Sequence, residues 1–294
     1  MLAADAGMEN VTRMFERFGI GKYDNYLSFA LGAGDTTVLK MVDAYAALIN
    51  HGVQHAPTLI DYVQDRRGKV IWRADKRECT GCNMDEWDGK PMPRLREAGK
   101  QVIDGRTAYQ VVHMLEGVVQ RGTAVRLRSL GIPLAGKTGT TSGPTNAWFV
   151  GGSPDLVAGT YLGFDQPRNM GGWVQGGNTA GPIFKDFVEA TREHWSGRPF
   201  LAPAGVRMVR IDRRSGTRVF DGWPTDDPLS GIIWEAFKPD TEPRRTQRQD
   251  QIDAMREMIL AQLRRRERTA ASNAANAAGG PPPDNFVEEQ GGIY

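Results

Sequence analysis

The chain has 294 residues, with 37 Lys and Arg against 35 Asp and Glu and a formal net charge of +2, a balance that excludes a globally basic nucleic-acid or anionic-membrane binder. Hydrophobic residues make up 40% and aromatics 9%, enough for a sizeable core, which excludes wholesale disorder. No stretch approaches the ~18 consecutive apolar residues of a membrane span, the opening Met-Leu-Ala-Ala-Asp-Ala-Gly has no signal-peptide pattern, and two cysteines exclude a disulfide scaffold and an all-cysteine zinc site.

Met1 to Phe18 reads as a helix, with Leu2, Val11, Met14, Phe15 and Phe18 at helical spacing and Gly19 as its stop. A chain that opens inside a helix, without cap or leader, reads as a fragment. A glycine turn at Gly32 and Gly34 leads to a second helix over Asp35–Asn50. Asp35 or Thr36 would cap it, Val38, Met41, Val42, Tyr45, Leu48 and Ile49 form its apolar face, and Gly52 ends it. Thr58–Val63 and Val70–Trp72, joined by Asp65-Arg66-Arg67-Gly68, read as a hairpin. Residues 75–103 are charged and turn-rich and read as a surface excursion. Asp104–Gln120 is a strong helix with Ala108, Val111, Val112, Leu115, Val118 and Val119 inward. Leu134–Thr141, Ala147–Val150 and Leu156–Phe164 read as a meander of three strands, and Pro182–Trp195 as a closing helix with Ile183, Phe184, Phe187 and Val188 on its apolar side.

Helices, a short antiparallel sheet and a final helix, with no βαβ rhythm, make the fold class α+β. The expected organisation is a main domain over 1–198, a small β-rich extension over 199–240, and a tail over 241–294. Within the extension, Val206–Ile211 and Thr217–Phe220 read as a small hairpin. Within the tail, Gln247–Arg268 is helix-prone and ends in Arg264-Arg265-Arg266, and Ala270–Tyr294 is read as disordered.

The stretch that carries chemistry is Gly131-Ile-Pro-Leu-Ala-Gly-Lys-Thr-Gly-Thr-Thr141, which satisfies two motifs. Gly131–Thr138 matches G-x-x-x-x-G-K-T, a phosphate-binding loop that works only when a helix begins at the Lys-Thr. Gly139-Thr140-Thr141-Ser142-Gly143-Pro144 is β-branched or helix-breaking and starts no helix. Ile, Pro, Leu and Ala in the loop also leave too little glycine for an anion nest. The second motif is Lys137-Thr138-Gly139-Thr140 as a strand facing a peptide. Gly139 lets an extended ligand lie close and pair as an added strand. Lys137 supplies positive charge for a carboxylate, the Thr138 and Thr140 hydroxyls can bond one, and a backbone N–H near Thr140 is suited to stabilising an oxyanion. The bland alternative is a surface strand.

Lys-Thr-Gly is the third motif of the active-site serine penicillin-recognising enzymes. Three stretches resemble the transpeptidase domain of a class A penicillin-binding protein: Tyr26–Tyr45, Arg106–Gly122 and Gly131–Gly172, the last including Ala-Trp-Phe-Val-Gly-Gly-Ser-Pro-Asp. The resemblance runs in the family's order over roughly residues 1–240. It implies a penicillin-binding/β-lactamase-like fold with an antiparallel sheet flanked by helices, incomplete here at its N-terminal side. It implies a D-Ala-D-Ala transpeptidase of peptidoglycan, paired with an N-terminal glycosyltransferase, acting outside the cytoplasmic membrane and acylated by β-lactams. Lys137, Thr138, Gly139 and Thr140 would line the stem-peptide site. The implied partners are stem peptides and β-lactams. Nucleic acid is not among them, no cofactor or metal is required, and a membrane is reached only through a missing N-terminal anchor.

The chain departs from that family in two motifs. No serine is followed three residues on by lysine, and Ser-x-Asn is absent. Thr37-Val38-Leu39-Lys40 has the first spacing but lies in a helix read as structural, and Ser153-Pro154-Asp155 follows Lys-Thr-Gly instead of preceding it. Acyl transfer needs an activated nucleophile, so this chain alone is expected to be inactive, and the competing reading is a non-catalytic peptide-binding or scaffold piece. Asn146 stands where many relatives carry an acid.

Cys79-Thr-Gly-Cys82 has redox-motif spacing without a thioredoxin-like helix start, and His51, His55, His113 and His194 stand at no metal-ligand spacing to it. In an extracytoplasmic setting a local Cys79–Cys82 disulfide is expected, with free thiols as the alternative. His113 and Glu116 read as a helix-surface pair, Trp148 as core, and Arg264–Arg266 as a solvated helix end. A nucleotide titration with Mg²⁺ separates the two motifs: the strand reading predicts no saturable binding, and saturable binding would restore the phosphate loop.

Overall fold

The computed structural model describes residues 2–74, 86, 88–91, 99–243 and 247–277. Its contacts divide the chain into two units, residues 1–210 with 223–242, and residues 211–222 with 243–294. Most of the excursion after residue 74, including Cys79 and Cys82, lies outside the described residues.

The first unit opens with α1 (Leu2–Ala6) and α2 (Met8–Arg17). The single helix expected over Met1–Phe18 is broken at Gly7, whose φ of 82° is left-handed. Helix α3 (Val38–Ile49) is capped by Thr37, whose hydroxyl accepts the Lys40 N–H at 3.3 Å. Neither expected cap serves. The Thr36 hydroxyl donates to the Ile20 carbonyl at 3.0 Å, and Asp35 offers its own carbonyl to the Tyr23 hydroxyl.

Strand β1 (Val53–Gln54) follows, then the expected hairpin of β2 (Tyr62–Gln64) and β3 (Val70–Arg73). The Asp65 carboxylate closes its turn by accepting the N–H groups of Arg67 and Lys69. Strand β4 (Lys100–Gln101) pairs antiparallel with β1. The excursion therefore returns to the body, and Val102 packs with Phe18, Ala44 and Ala47 in a small buried cluster.

Helix α4 (Gly105–Arg121) is capped by Asp104, which accepts the N–H groups of Arg106 and Thr107 at 3.2 Å each. A hydrogen bond from the Arg106 side chain, helped by that of the Thr107 N–H, holds the Asp104 carboxyl at about 2. The central sheet follows as an antiparallel meander in the order β5 (Ala135–Thr140), β6 (Asn146–Gly152), β7 (Val157–Gly163). A π-helical turn over Gly176–Ala180 then leads into α5 (Gly181–Ala190).

The register assigns the two faces. Lys137, Val150 and Gly159 form one cross-strand row, and Thr138, Phe149 and Thr160 form the next. Side chains of successive rows point to opposite faces. A Cβ on Gly159 would meet Val38 and Val42, so α3 covers the face of Lys137. Phe149 packs against Phe184 with ring centroids 4.6 Å apart and planes tilted by 60°, so α5 covers the face of Thr138. The main core, with Leu127, Leu134, Val174, Val188 and Trp195, lies on this second face.

Strand β8 (Arg207–Asp212) pairs with β9 (Ile232–Phe237), a strand not anticipated in the sequence. The hairpin expected between 206 and 220 reduces to one bridge, Ile211 to Arg218. Its turn is taken up by the Asp212 carboxylate, which accepts the N–H groups of Arg214 and Ser215. In the second unit, α6 (Gln247–Ala277) runs past Arg268. Ala270–Ala277 is thus helical where disorder was expected, which follows from its alanine content. Among the described residues no helix is long and apolar enough to cross a membrane. The architecture is α+β, small antiparallel sheets with helices packed on them.

Phe149 and Phe184 are each 1% exposed. Phe149→Ala is expected to cost about 3–5 kcal/mol of unfolding free energy in a denaturant titration, whereas truncating exposed Tyr62 on β2 should change it by less than ~1 kcal/mol.

Candidate functional site

Strand β5 is an edge of the sheet, and Lys137 to Thr140 occupy its second half. Lys137 and Thr140 are exposed, and Thr138 and Gly139 are half-buried. The Lys137 ammonium donates to the Thr138 carbonyl at 2.7 Å and stands 3.5 Å from the Thr138 hydroxyl oxygen. Residues of an antiparallel edge strand alternate between directing both backbone groups at the neighbour and directing both away. A Thr138 carbonyl that accepts from the lysine is on the open side, and Thr140, two residues on, shares it.

Two further segments, neither found by sequence reasoning, reach this strand. Thr123, just after α4, shares a 2.7 Å hydrogen bond between its hydroxyl and that of Thr138. Gly176 donates its N–H to the Thr140 hydroxyl at 3.0 Å. A Cβ on Gly176 would come within 2.6 Å of the Trp148 carbonyl and within 2.7 and 2.9 Å of the Gly139 oxygen and nitrogen. Only glycine lies this flat on the Gly139–Trp148 pair. The signal in the sequence was the doublet Gly176-Gly177, which no predicted element claimed. At Gly139 a Cβ would stand 3.2 Å from Trp148 Cβ, a tight fit that a bare backbone avoids.

Lys137 and Thr138 sit inside a strand, with no helix starting at them. The phosphate-loop reading of Gly131–Thr138 is therefore overturned, because its anion site needs a helix N-terminus there. Thr37, the threonine of Thr-x-x-Lys, is spent as the α3 cap. Trp148 is half-buried and not core, its ring 4.8 Å from that of Tyr161. Among the described residues no group of three or more His, Cys, Asp or Glu gathers in metal-binding geometry. A cleft of about 300 Å³ lies elsewhere, lined by Leu48, Tyr109, Val112, Pro154, Phe200 and others, and none of Lys137–Thr140 lines it.

His113 does more than pair along its helix. Its Nδ1 is 3.4 Å from Glu116, and its Nε2 is 2.9 Å from the Trp234 carbonyl and 3.9 Å from Glu235, so it joins α4 to β9. Burial alone would lower its pKa, but hydrogen bonds to Glu116 and the Trp234 carbonyl and the charges of Glu235 and Glu116 outweigh burial and raise it.

The family is decided by a family model for the penicillin-binding protein transpeptidase domain, which matches residues 2–189, more than half of the chain. The chain belongs to the penicillin-binding protein transpeptidase family. It is 34% identical over 240 residues to penicillin-binding protein 1A of Rickettsia typhi, covering 81% of this chain and 29% of that protein. It is 35% identical over 203 residues to penicillin-binding protein 1A of Neisseria gonorrhoeae, covering 68% of this chain and 23% of that protein. The chain thus spans under a third of the length of these curated relatives. The crystal structure of penicillin-binding protein 1A from Haemophilus influenzae superposes with a TM-score of 0.66 at 28% identity, covering 83% of this chain and 38% of that one.

The His113 clasp has a signed pH dependence. A pKa raised on folding contributes stability that is complete below the unfolded value of 6.5 and is lost as pH rises through the folded value. The thermal midpoint difference between wild type and His113→Gln should be larger near about pH 5 than near about pH 9; an equal or reversed difference would remove the charged clasp.

Proposed function

We propose that the chain supplies the substrate strand of a D-Ala-D-Ala transpeptidase that cross-links peptidoglycan and is a target of β-lactams. The observation that carries this reading is the place of Lys137–Thr140 on β5, which among the described residues is an edge strand, with the Lys137 ammonium donating to the Thr138 carbonyl; in this reading Thr138 and Thr140 turn their backbone groups outward. In this reading an extended stem peptide adds to β5 as a further strand. Lys137 and the hydroxyls of Thr138 and Thr140 hold its terminal carboxylate. In the same reading the Thr140 N–H serves as an oxyanion-hole donor to the scissile carbonyl oxygen as it becomes negative. No cofactor or metal enters the scheme.

The nucleophile and its base are not in residues 1–294, because the sequence contains neither Ser-x-x-Lys nor Ser-x-Asn. Acyl transfer then depends on residues outside this sequence, and the chain alone binds peptide without turnover. The same reading puts the working protein on the outer face of the cytoplasmic membrane, held by an N-terminal anchor. The expected Cys79–Cys82 disulfide depends on that oxidising setting.

Acylation by a labelled penicillin, read by intact mass and peptide mapping, tests this. The chain alone should give no adduct. The chain joined to the upstream region of the Rickettsia typhi relative should give one adduct, lost in Lys137→Ala. An adduct on the chain alone would mean a nucleophile within residues 1–294, and no adduct on the joined protein would overturn the transpeptidase reading.

A further inference from the structure

We infer that Thr123, on the loop after α4, is a positioning residue that sets which way the Thr138 hydroxyl donates and so makes the strand selective for a terminal carboxylate; this rests on the reading of β5 as a peptide-binding edge.

A threonine hydroxyl has one proton and two lone pairs. The two hydroxyls of β5 are each met from behind by a different segment. At Thr140 the partner is the N–H of Gly176, which can only donate. The Thr140 oxygen accepts, and its proton is left for an outside acceptor. At Thr138 the oxygen faces the Thr123 hydroxyl at 2.7 Å and the Lys137 ammonium at 3.5 Å. An ammonium has no lone pair to offer. The 2.7 Å bond can run either way; in the arrangement inferred here Lys137 takes one lone pair of Thr138 and Thr123 donates to the other, which leaves the Thr138 proton for an outside acceptor. Thr138 then presents the same polarity as Thr140, an outward O–H on each of two residues that share one face of β5.

The position of Thr123 is itself constrained. Its carbonyl lies against Gly177, where any Cβ would collide with it, and the same Cβ would be 3.8 Å from Thr138 Cγ2. The Gly176-Gly177 doublet thus serves both donors: Gly176 engages Thr140 directly, and Gly177 leaves room for the loop that brings Thr123 to Thr138. Thr123 is exposed, so the hydrogen bond is no part of the core, and its removal acts on the direction of a donor more than on the fold.

Two outward donors favour an anionic acceptor over one that presents its own N–H groups. A peptide ending in a free carboxylate satisfies both, whereas the matching C-terminal amide places donors against donors. Without Thr123 the Thr138 hydroxyl is free to rotate, and the discrimination falls.

The test is a titration of isotope-labelled protein, followed by NMR, with an N-acetylated tripeptide ending in D-Ala-D-Ala, once as the free acid and once as the amide. Wild type should prefer the acid. Thr123→Val should reduce the acid-to-amide affinity ratio by about fivefold, on the scale of one net hydrogen bond, and Thr123→Ser should restore it. The thermal midpoints of both variants should match wild type. A Thr123→Val protein that keeps the full ratio would overturn the role of Thr123 while leaving the edge-strand reading intact. A wild type without acid preference would overturn both. Should Thr123→Val lose its fold, Gly177→Ala, which displaces Thr123 while keeping its hydroxyl, must lower the ratio in the same way, and an unchanged ratio there would overturn the inference.

Discussion

The site depends on one constraint, the antiparallel pairing of β5 with β6 in the register that sets Lys137 opposite Val150 and Thr138 opposite Phe149. A slip of one residue would exchange the faces of every side chain on β5. Leu134, one residue before β5 and 1% exposed in the main core, opposes that slip, while Phe149, 1% exposed and packed on Phe184 of α5, fixes the face of β6. Moving Phe149 to the other face would empty the main core. The burial of Leu134 and Phe149, with the register between their strands, puts Lys137 on the α3 face and Thr138 and Thr140 on the α5 face.

The remaining elements work around that register. The two faces are covered by helices that meet the sheet at small residues, α3 at Gly159 of β7 and the π-helical turn before α5 through its own Gly176, which lies on the backbone of Gly139 and Trp148. Close backbone approach, which glycine permits, brings the Gly176 N–H within reach of Thr140. Behind the sheet, His113 fastens α4 to β9, and Gln110 of the same helix donates to the Ala236 carbonyl at 2.9 Å. The C-terminal β8–β9 ribbon is thereby tied to the helix whose far end delivers Thr123.

Elements whose identity depends on local pattern were legible in the sequence. The meander, α4 and α5 follow from alternation, helical periodicity and proline or glycine punctuation, and Lys137–Thr140 stood out because the residues after it cannot begin a helix. What was not legible depends on partners distant in the chain. Strand β4 pairs with β1 across the excursion, and β9 pairs with β8 in place of the local hairpin. Two-residue strands such as β4 carry no period to detect. Thr37 took the cap because Thr36 was drawn to Ile20, a tertiary competition. Thr123 and Gly176 read as ordinary loop residues until the fold placed them beside Thr138 and Thr140.

The central claim is that Thr138 and Thr140 face an open edge while Lys137 and Gly139 face β6. Native-state amide hydrogen exchange resolved by residue tests it without any ligand. The account predicts slow exchange at Lys137 and Gly139, whose N–H groups it directs at β6, and fast exchange at Thr138 and Thr140. Slow exchange at all four would mean that the outer edge of β5 is already paired, and the reverse alternation would mean that the register of the sheet is wrong by one residue.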